Sequence, residues 1–311
     1  MSTYPPTNTT TRRTNYMDEF LAAGLDEVFE VSFKGEDDQY KEFMKVTEAG
    51  KGGQVKDFQF LGFTAASVIS NPKKDATLGT GAITFEKLAA KPGSIYTPIE
   101  IGKGFAVGKR LRDDEMYGII TTAAGKLGQS LKVLIEQMAV AVLQNGTTNG
   151  LFSDNHALVG TASSTYDNKI TTAMSKTSLA EMFKIIRKTP NERNLPAPII
   201  GKIKLIVPAD IYIDTLEILK STLVADSADN TKNVLPAVGF GEIVVNDYVD
   251  DTNNYYAIAQ MPGLTNLKMI WWEHINTGSE IDFQSRCLQY GAWAALDVGW
   301  SDWRGTVGAV V

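Results

Sequence analysis

Cysteine and histidine are almost absent from this sequence of 311 residues. Cys287 is its single cysteine, and His156 and His274 are its two histidines. No intramolecular disulfide can therefore form, and no Cys/His zinc site of the usual kind can be built. Basic residues are also in the minority, because 30 Lys and Arg face 36 Asp and Glu and give a net charge of -6. We expect no cofactor and no function that depends on tight polyanion binding.

Long apolar runs are missing as well. Met138–Leu143 is one of the longest, and it falls far short of the roughly 18 residues that span a bilayer. The N-terminus lacks the apolar core of a signal peptide, so we expect no membrane partner and no export from the cytoplasm. With 43% apolar and 21% charged residues, the chain has the composition of a globular protein with a packed core.

Two segments in the first part of the chain are poorly suited to a compact monomer. Residues 1–16 are polar and rich in Thr, which predicts an arm, and Met17–Glu30 predicts a short amphipathic helix. Between Gly50 and Gly108, glycines and prolines separate short β-prone pieces, which predicts a long two-stranded excursion. Isolated ribbons of two strands are only marginally stable, so this one is expected to lie on a neighbour. Its candidate contact residues are Phe58, Phe60, Phe63, Phe85, Ile95 and Tyr96.

The strongest local pattern is a helix of roughly 30 residues at Asp113–Gln144. Asp113 is its predicted cap, Asp114 and Glu115 lie in its predicted first turn, and Asn145 with Gly146 predicts its end. The main predicted apolar face is Met116, Ile119, Ala123, Leu127, Leu131, Leu134, Met138 and Val142, with a second apolar set of Ile120, Ala124, Val133, Ile135 and Val140. The predicted exposed stripe is Lys126, Gln129, Glu136 and Gln137.

The second half of the chain predicts an α/β region followed by a β-rich tail. Helices are expected at Ser178–Lys188 and Asp210–Lys220, with a strand at Lys204–Val207. Glu242–Val249 and Tyr255–Ala259 are separated by Asp, Thr and Asn, which predicts a hairpin. Residues 267–305 are strand-rich and hold all five tryptophans. The expected fold class is α+β.

The loop after the long helix contains Ser153, Asp154 and His156, the residue types of a hydrolytic triad. A hydrolase that uses Ser153 or His156 is therefore one hypothesis. The three residues are close neighbours in sequence and no G-x-S-x-G elbow surrounds Ser153. This favours the other interpretation, in which the loop caps the end of the helix by hydrogen bonds.

The order of arm, ribbon, very long helix, α/β region and returning β-rich tail resembles the major capsid protein of tailed double-stranded DNA phages. The segments FAVGKRLRDDEMYG (Phe105–Gly118) and NGTTNGLFSDNHALVG (Asn145–Gly160) are similar to parts of the Mu-like phage major head subunit. KDFQFLG (Lys56–Gly62) is similar to the entry into the extended loop of that group. IKLIVPADIY and DTNNYYAIA resemble pieces of the axial domain.

The resemblance implies a tailed-phage capsid fold with five parts. These are an N-terminal arm and short helix at 1–45, an extended loop at 46–108, a spine helix and peripheral domain at 109–165, an axial domain at 166–264, and a return to the peripheral domain at 265–311. It also implies a structural protein of the virion, not an enzyme, which assembles in the host cytoplasm. Its copies would form the pentamers and hexamers of an icosahedral head around non-specifically contacted DNA. Portal, scaffold and decoration proteins are its further expected partners, and an encapsulin-like compartment is the related alternative.

Overall fold

The structure, a computed structural model, describes most of the chain. The described residues are 23–35, 37–50, 52–60, 85, 90–113, 118–158, 165–191, 194–195, 199, 201–221, 233, 235, 240–260, 267–282 and 284–311. The predicted arm lies outside them, whereas the predicted short helix is helical in its described part and continues to residue 34.

Helices and strands follow one another along the chain without a regular order. The helices are α1 (described over 23–34), α2 (Lys109–Asp113), α3 (Ile119–Gln144), α4 (Lys176–Lys188) and α5 (Tyr212–Lys220), with 3-10 turns at Gln39–Glu42 and Ala209–Ile211. The strands are β1 (Lys45–Glu48), β2 (Val55–Phe60), β3 (Ala90–Tyr96), β4 (Ile99–Val107), β5 (His156–Ala157), β6 (Thr165–Tyr166), β7 (Lys169–Ile170), β8 (Lys202–Val207), β9 (Phe240–Val245), β10 (Tyr255–Gln260), β11 (Leu267–Ile281), β12 (Leu288–Trp300) and β13 (Thr306–Ala309). None of the helices within the described residues has the length and apolar character needed to cross a membrane.

A four-stranded sheet forms the first layer, in the order β1-β11-β12-β4. Strands β11 and β12 are long antiparallel neighbours, β4 is antiparallel to β12, and β1 is parallel to β11. Side chains alternate between the two faces of a strand. In β12, Tyr290, Ala292 and Ala294 are buried, whereas Gln289 and Trp293 are exposed. The buried face packs against α3 and α1.

A five-stranded sheet forms the second layer, in the order β7-β13-β10-β8-β9. Both faces of β10 are buried: Tyr255 and Ala257 pack in one core with α4, and Tyr256 and Ile258 pack in another with α3. The hairpin predicted for Glu242–Val249 and Tyr255–Ala259 is wrong. Strand β8 lies between β9 and β10, antiparallel to β10 and parallel to β9.

Helix α3 lies between the two layers. Its predicted end is confirmed, since Asn145 is the C-cap. Its predicted start is wrong: Asp113 ends α2, and α3 begins after Gly118, whose φ of 63° lies in the left-handed region. The 26 residues of α3 span about 39 Å at 1.5 Å per residue.

Both predicted apolar sets of α3 contribute buried residues, and Leu127, Leu131 and Val142 of the main set are among them. Ile119 and Leu134 of the main predicted face are exposed, whereas Ile120, Ala124 and Ile135 of the second set are buried. Lys126, Gln129 and Gln137 are exposed as predicted, but Glu136 is buried. Helix α1 packs on the part of α3 that carries Ile120 and Ala124: a Cβ at Gly128 would lie 2.9 Å from the carbonyl oxygen of Phe29, so glycine is required for this approach.

Three strands depart from the grouping expected from the sequence. Strand β13 lies within 265–311, the segment expected to return to the peripheral domain, yet it pairs with β10 and β7 of the second layer. The segment expected as an extended loop at 46–108 begins and ends in the four-stranded sheet, because β1 pairs with β11 and β4 pairs with β12. Within the described part of this segment, only β2 and β3 form a separate ribbon.

Candidate assembly surface

The ribbon of β2 and β3 is an antiparallel pair that belongs to neither large sheet. Val55 lies opposite Tyr96 at its base, and Phe60 lies opposite Ala90 at the far end of the described pairing. The two-stranded pairing predicted between Gly50 and Gly108 is therefore present in the described part, between Val55–Phe60 and Ala90–Tyr96. A ribbon of this kind has two unpaired edges and little core of its own, so it offers backbone groups and side chains to a neighbour.

The six residues predicted to contact a neighbour fall into distinct environments. Phe85 is 92% exposed and Ile95 is 58% exposed, whereas Tyr96 is 2% exposed. The backbone of Phe58 lies opposite Pro92 and that of Phe60 opposite Ala90, and Phe63 lies outside the described residues. Tyr96 is covered by its own chain, so we remove it from the proposed set of contacts between subunits and retain the other five.

The base of the ribbon is tied to the four-stranded sheet, and we call the residues that make these ties the root. On the β2 side, Asp57 forms an ion pair with Lys268 of β11. On the β3 side, the Thr97 N–H donates to Asp297 Oδ2 at 2.9 Å, and the Ser94 hydroxyl donates to the carbonyl oxygen of Trp300. Both strands of the ribbon are thus held by neighbouring strands of one sheet.

Tyr96 completes the root. Its hydroxyl lies 2.8 Å from Ser301 Oγ, and a Cβ at Gly299 would lie 2.9 Å from its ring carbon Cε1. Burial raises the pKa of Tyr96 to about 12, so the phenol stays neutral. Burial likewise raises the pKa of Asp297, although the hydrogen bonds from Thr97 and Val298 act in the opposite direction.

A charged cluster joins α3 to the 3-10 turn at Gln39–Glu42. Lys132 is 1% exposed and Glu136 is 0% exposed, and they lie one turn apart on α3. Lys132 forms an ion pair with Asp38 just before the turn. Glu136 Oε2 accepts the backbone N–H of Tyr40 at 3.0 Å, whereas its Oε1 is buried without a hydrogen-bond partner among the described residues.

These contacts perturb the two carboxyl groups in opposite directions. Burial raises the pKa of Glu136 to about 7, against the opposing effects of the Lys132 charge and of hydrogen bonds from Tyr40 and Gln39. Burial also acts to raise the pKa of Asp38, but hydrogen bonds and charges from Lys132 and Lys41 outweigh it and hold that pKa below its ordinary value. At neutral pH the cluster therefore pairs a buried ammonium with one full carboxylate and a second carboxyl near its titration midpoint.

The loop that carries Ser153 and His156 is organised by the buried side chain of Asn168. Asn168 Oδ1 accepts the backbone N–H of Ser153 at 2.9 Å and lies 2.9 Å from His156 Nε2. Asn168 Nδ2 donates to the carbonyl oxygens of Leu151 at 2.9 Å and Thr306 at 3.2 Å. The side-chain amide of Asn168 thus joins the loop after α3 to strand β13 of the five-stranded sheet.

Both candidate hydrolytic residues are held in structural contacts. His156 is buried and stacks on Trp303 with ring centroids 4.2 Å apart, and burial lowers its pKa. Ser153 Oγ accepts the backbone N–H of Asn155 at 3.1 Å. The hydrogen bond that caps the helix comes from Asn149, before these residues: its Nδ2 donates to the carbonyl oxygen of Val142 at 2.9 Å.

Sequence patterns missed several residues that hold this surface together. Among the described residues, no group of three or more His, Cys, Asp or Glu could hold a metal ion. Asp57 and Lys268 lie 211 positions apart, and no local motif joins them. Asn168 lies in a polar stretch whose composition is typical of an ordinary turn.

Comparison with known proteins identifies the family. A sequence profile described as phage capsid protein matches residues 91–309, which is well over half of the chain. The chain belongs to the phage capsid protein family. It is thus a structural protein, a major capsid subunit of an icosahedral phage head. The match is to the capsid family as a whole, so the narrower resemblance to the Mu-like group stays a prediction. A search of curated proteins found no match to the chain.

Solved capsids share the fold of this capsid protein. The mature capsid of bacteriophage PhiM1 aligns with a TM-score of 0.56 at 9% identity, over 88% of this chain and 87% of that one. The capsid of cyanophage P-SCSP1u gives 0.55 at 9% identity over 86% and 85%. A virus-like particle from Pyrococcus furiosus gives 0.50 at 14% identity over 93% and 98%. At such identities the likeness shows a common fold.

Proposed function

We propose that this capsid protein builds pentamers and hexamers of the head with the ribbon of β2 and β3 laid over a neighbouring subunit. The four-stranded sheet with α3 would form the peripheral domain, and the five-stranded sheet with α4 and α5 would form the axial domain near the capsomer centre. The observation that carries this proposal is the ribbon itself, on which Ile95 is exposed, together with the exposed Phe85, which lies between β2 and β3 in the sequence.

Burial of these side chains supplies a reason to assemble. Moving one large apolar side chain from water into an interface contributes about 1.5–3 kcal/mol. One ribbon contact is therefore weak alone, but every subunit of a closed lattice makes the same contact. Repetition around the shell turns a weak contact into a stable assembly.

The remaining proposed partners follow from charge and from the role of a head. A net charge of -6 supports loose, non-specific contact with packaged DNA, because tight binding to phosphates requires clustered Lys and Arg. Portal, scaffold and decoration proteins are proposed partners of the shell, which would assemble in the host cytoplasm before it becomes part of the virion.

Shortening the ribbon tests the proposal. Phe60 and Ala90 lie directly opposite each other, so Asn-Gly in place of residues 61–89 closes a two-residue hairpin without disturbing the described strands. We expect a soluble subunit that melts cooperatively, because loop length alters closure entropy only slowly, and no shells in electron micrographs.

A matched variant separates loop length from side-chain contact. It keeps all 29 positions of 61–89 (89 − 61 + 1) but fills them with Gly and Ser, and it too should fail to form shells. Normal shells from both variants would contradict the proposed clamp. Outright unfolding of the shortened subunit would show that the segment belongs to the core of its own chain, which also contradicts it.

A further inference from the structure

We propose, on the basis of the function proposed above, that the root residues are positioning residues for assembly. They fix the direction in which the ribbon leaves the four-stranded sheet, so that each free subunit already presents its ribbon at the angle the lattice needs. Asp57, Tyr96 and Thr97 hold this direction from the ribbon side, and Lys268, Asp297 and Ser301 hold it from the sheet side.

The ties are placed so that rotation of the ribbon breaks at least one of them. Asp57 on β2 is bound to Lys268 on β11, whereas Thr97, just after β3, is bound to Asp297 on β12. A single tie would leave the ribbon free to pivot about it. Ties on both ribbon strands to two different sheet strands remove that freedom.

Steric contact at Tyr96 adds a fixed stop. The ring is buried against Gly299, where even a methyl group would come within 2.9 Å of Cε1. An aromatic ring has only two side-chain torsions, and this one is also held at its far end by Ser301 Oγ. The base of β3 is thus wedged as well as bonded.

The short connections between the ribbon and the four-stranded sheet restrict the movement of the ribbon. Only Thr97 and Pro98 separate β3 from β4, and the proline restricts both its own backbone and that of the preceding residue. On the other strand, the Trp272 indole N–H donates to the carbonyl oxygen of Gly52 at 3.0 Å and holds the segment before β2. The chain is therefore anchored to the four-stranded sheet just before β2 and just after β3.

Small changes at the root are amplified at the far end of the ribbon. A strand of the length of β2 extends about 20 Å, so a rotation of about 10° at its base displaces its end by roughly 3 Å. Preorganised interfaces shift their backbones by about 1 Å or less on binding. The angle set at the root therefore decides whether the far end of the ribbon, where Phe60 lies opposite Ala90, meets its place on a neighbour.

Charge reversal at the Asp57–Lys268 pair tests the proposal. Lys268→Asp and Asp57→Lys each place like charges together, and the double swap restores an ion pair with reversed direction. Reversal of Lys34→Glu in the exposed Glu30–Lys34 pair of α1 is the matched control. Shell yield and diameter are measured by electron microscopy, with thermal melting of the free subunit alongside.

We expect each single reversal to lose normal shells while the free subunit melts within a few degrees of the unaltered protein. The double swap and the Lys34→Glu control should form normal shells. Normal shells from both single reversals would overturn the positioning role but leave the clamp intact, since the shortened ribbon tests the clamp separately. Failure of the double swap to restore shells would also overturn it.

Hydrogen exchange gives a second measurement that does not depend on how the variants fold. In the unaltered free subunit, the Thr97 N–H bonded to Asp297 should exchange at least tenfold more slowly than the exposed Asn253 N–H bonded to Asp251. Equal rates would show that the root forms only on assembly, which would overturn the proposal.

Ser301→Ala removes the partner of the Tyr96 hydroxyl. This variant should broaden the distribution of shell diameters, and an unchanged distribution would count against the proposal.

Discussion

Helix α3 is joined to the rest of the subunit by two junctions of different chemistry. At the first, Lys132 and Glu136 meet Asp38 beside the turn at Gln39–Glu42 through charges taken out of water. At the second, beyond the end of α3, Asn168 joins the loop to β13 through neutral hydrogen bonds. The strength of the charged junction changes as Glu136 titrates near pH 7, whereas the amide junction holds one titratable group, His156, whose pKa is lowered by burial. As the pH rises through 7, the subunit can therefore loosen one side of α3 while the other stays fixed.

The largest effect is expected when the charged junction loses its cation. Lys132→Met leaves Glu136 and Asp38 without the buried ammonium, and breaking a buried charge pair in this way costs about 3–5 kcal/mol of unfolding free energy. Lys126→Met on the exposed side of the same helix should change stability by no more than about 0.5 kcal/mol. Urea unfolding at pH 8 measures both. Similar losses from the two variants would mean that Lys132 is not the centre of the junction.

A somewhat smaller effect is expected at the neutral junction. Asn168→Ala leaves the carbonyl oxygens of Leu151 and Thr306 and the N–H of Ser153 without their partner, and each buried unpaired group costs about 1–3 kcal/mol unless water replaces the amide. Asn155→Ala in the exposed part of the same loop is the control. The loss for Asn168→Ala should be the same at pH 7.5 and pH 8.5, where His156, whose pKa is lowered by burial, stays neutral, and a loss that changes between these pH values would contradict the neutral character of this junction.

The smallest effect is the pH dependence of Glu136. Its pKa in the folded protein, about 7, is raised above the ordinary value of 4.5, so folding favours the protonated acid. The resulting stability is fully present below about pH 4.5 and is lost as the pH rises through 7. Asp38 has a lowered pKa and acts in the opposite sense only at more acidic pH.

Glu136→Gln removes this titration and keeps a carbonyl oxygen that can accept the N–H groups of Gln39 and Tyr40. The difference in unfolding free energy between the variant and the unaltered protein should shift in favour of the variant by about 1–3 kcal/mol from pH 5 to pH 8. The contribution of His156 cancels in that difference. A flat difference across this range would show that Glu136 does not titrate there.

The two junctions also show what sequence patterns can and cannot reveal. The end of α3 was predictable because Asn145 and Gly146 act on the residues beside them. The burial of Glu136 was not, because a charged residue at a helical position looks exposed until Lys132 and Asp38 are brought to it by the fold. The root residues are hidden from sequence patterns for the same reason, since their partners lie about 200 positions away.

The prediction of strand pairing was wrong where a strand from elsewhere in the sequence lies between two consecutive strands. The ribbon of β2 and β3 follows from β-prone pieces bounded by glycine and proline, and it is present. The expected hairpin of β9 and β10 is absent because β8 lies between them, and a short polar turn does not require its two flanking strands to pair. The start of α3 was misplaced because the acids after Asp113 looked like a first turn, whereas Gly118 sets the boundary.

The position of β13 has a consequence for the order in which the subunit is made. Thr306–Ala309 lies between β7 and β10 in the interior of the five-stranded sheet, so strands synthesised much earlier wait for a segment near the end of the chain. Domains generally fold as they emerge during synthesis, but this sheet cannot close until translation has passed Ala309. Before then the edges of β7 and β10 that receive β13 remain unpaired. A ribosome that stops short of Thr306 therefore releases a chain that cannot complete its second layer, and a lattice built from finished subunits has no matching place for it.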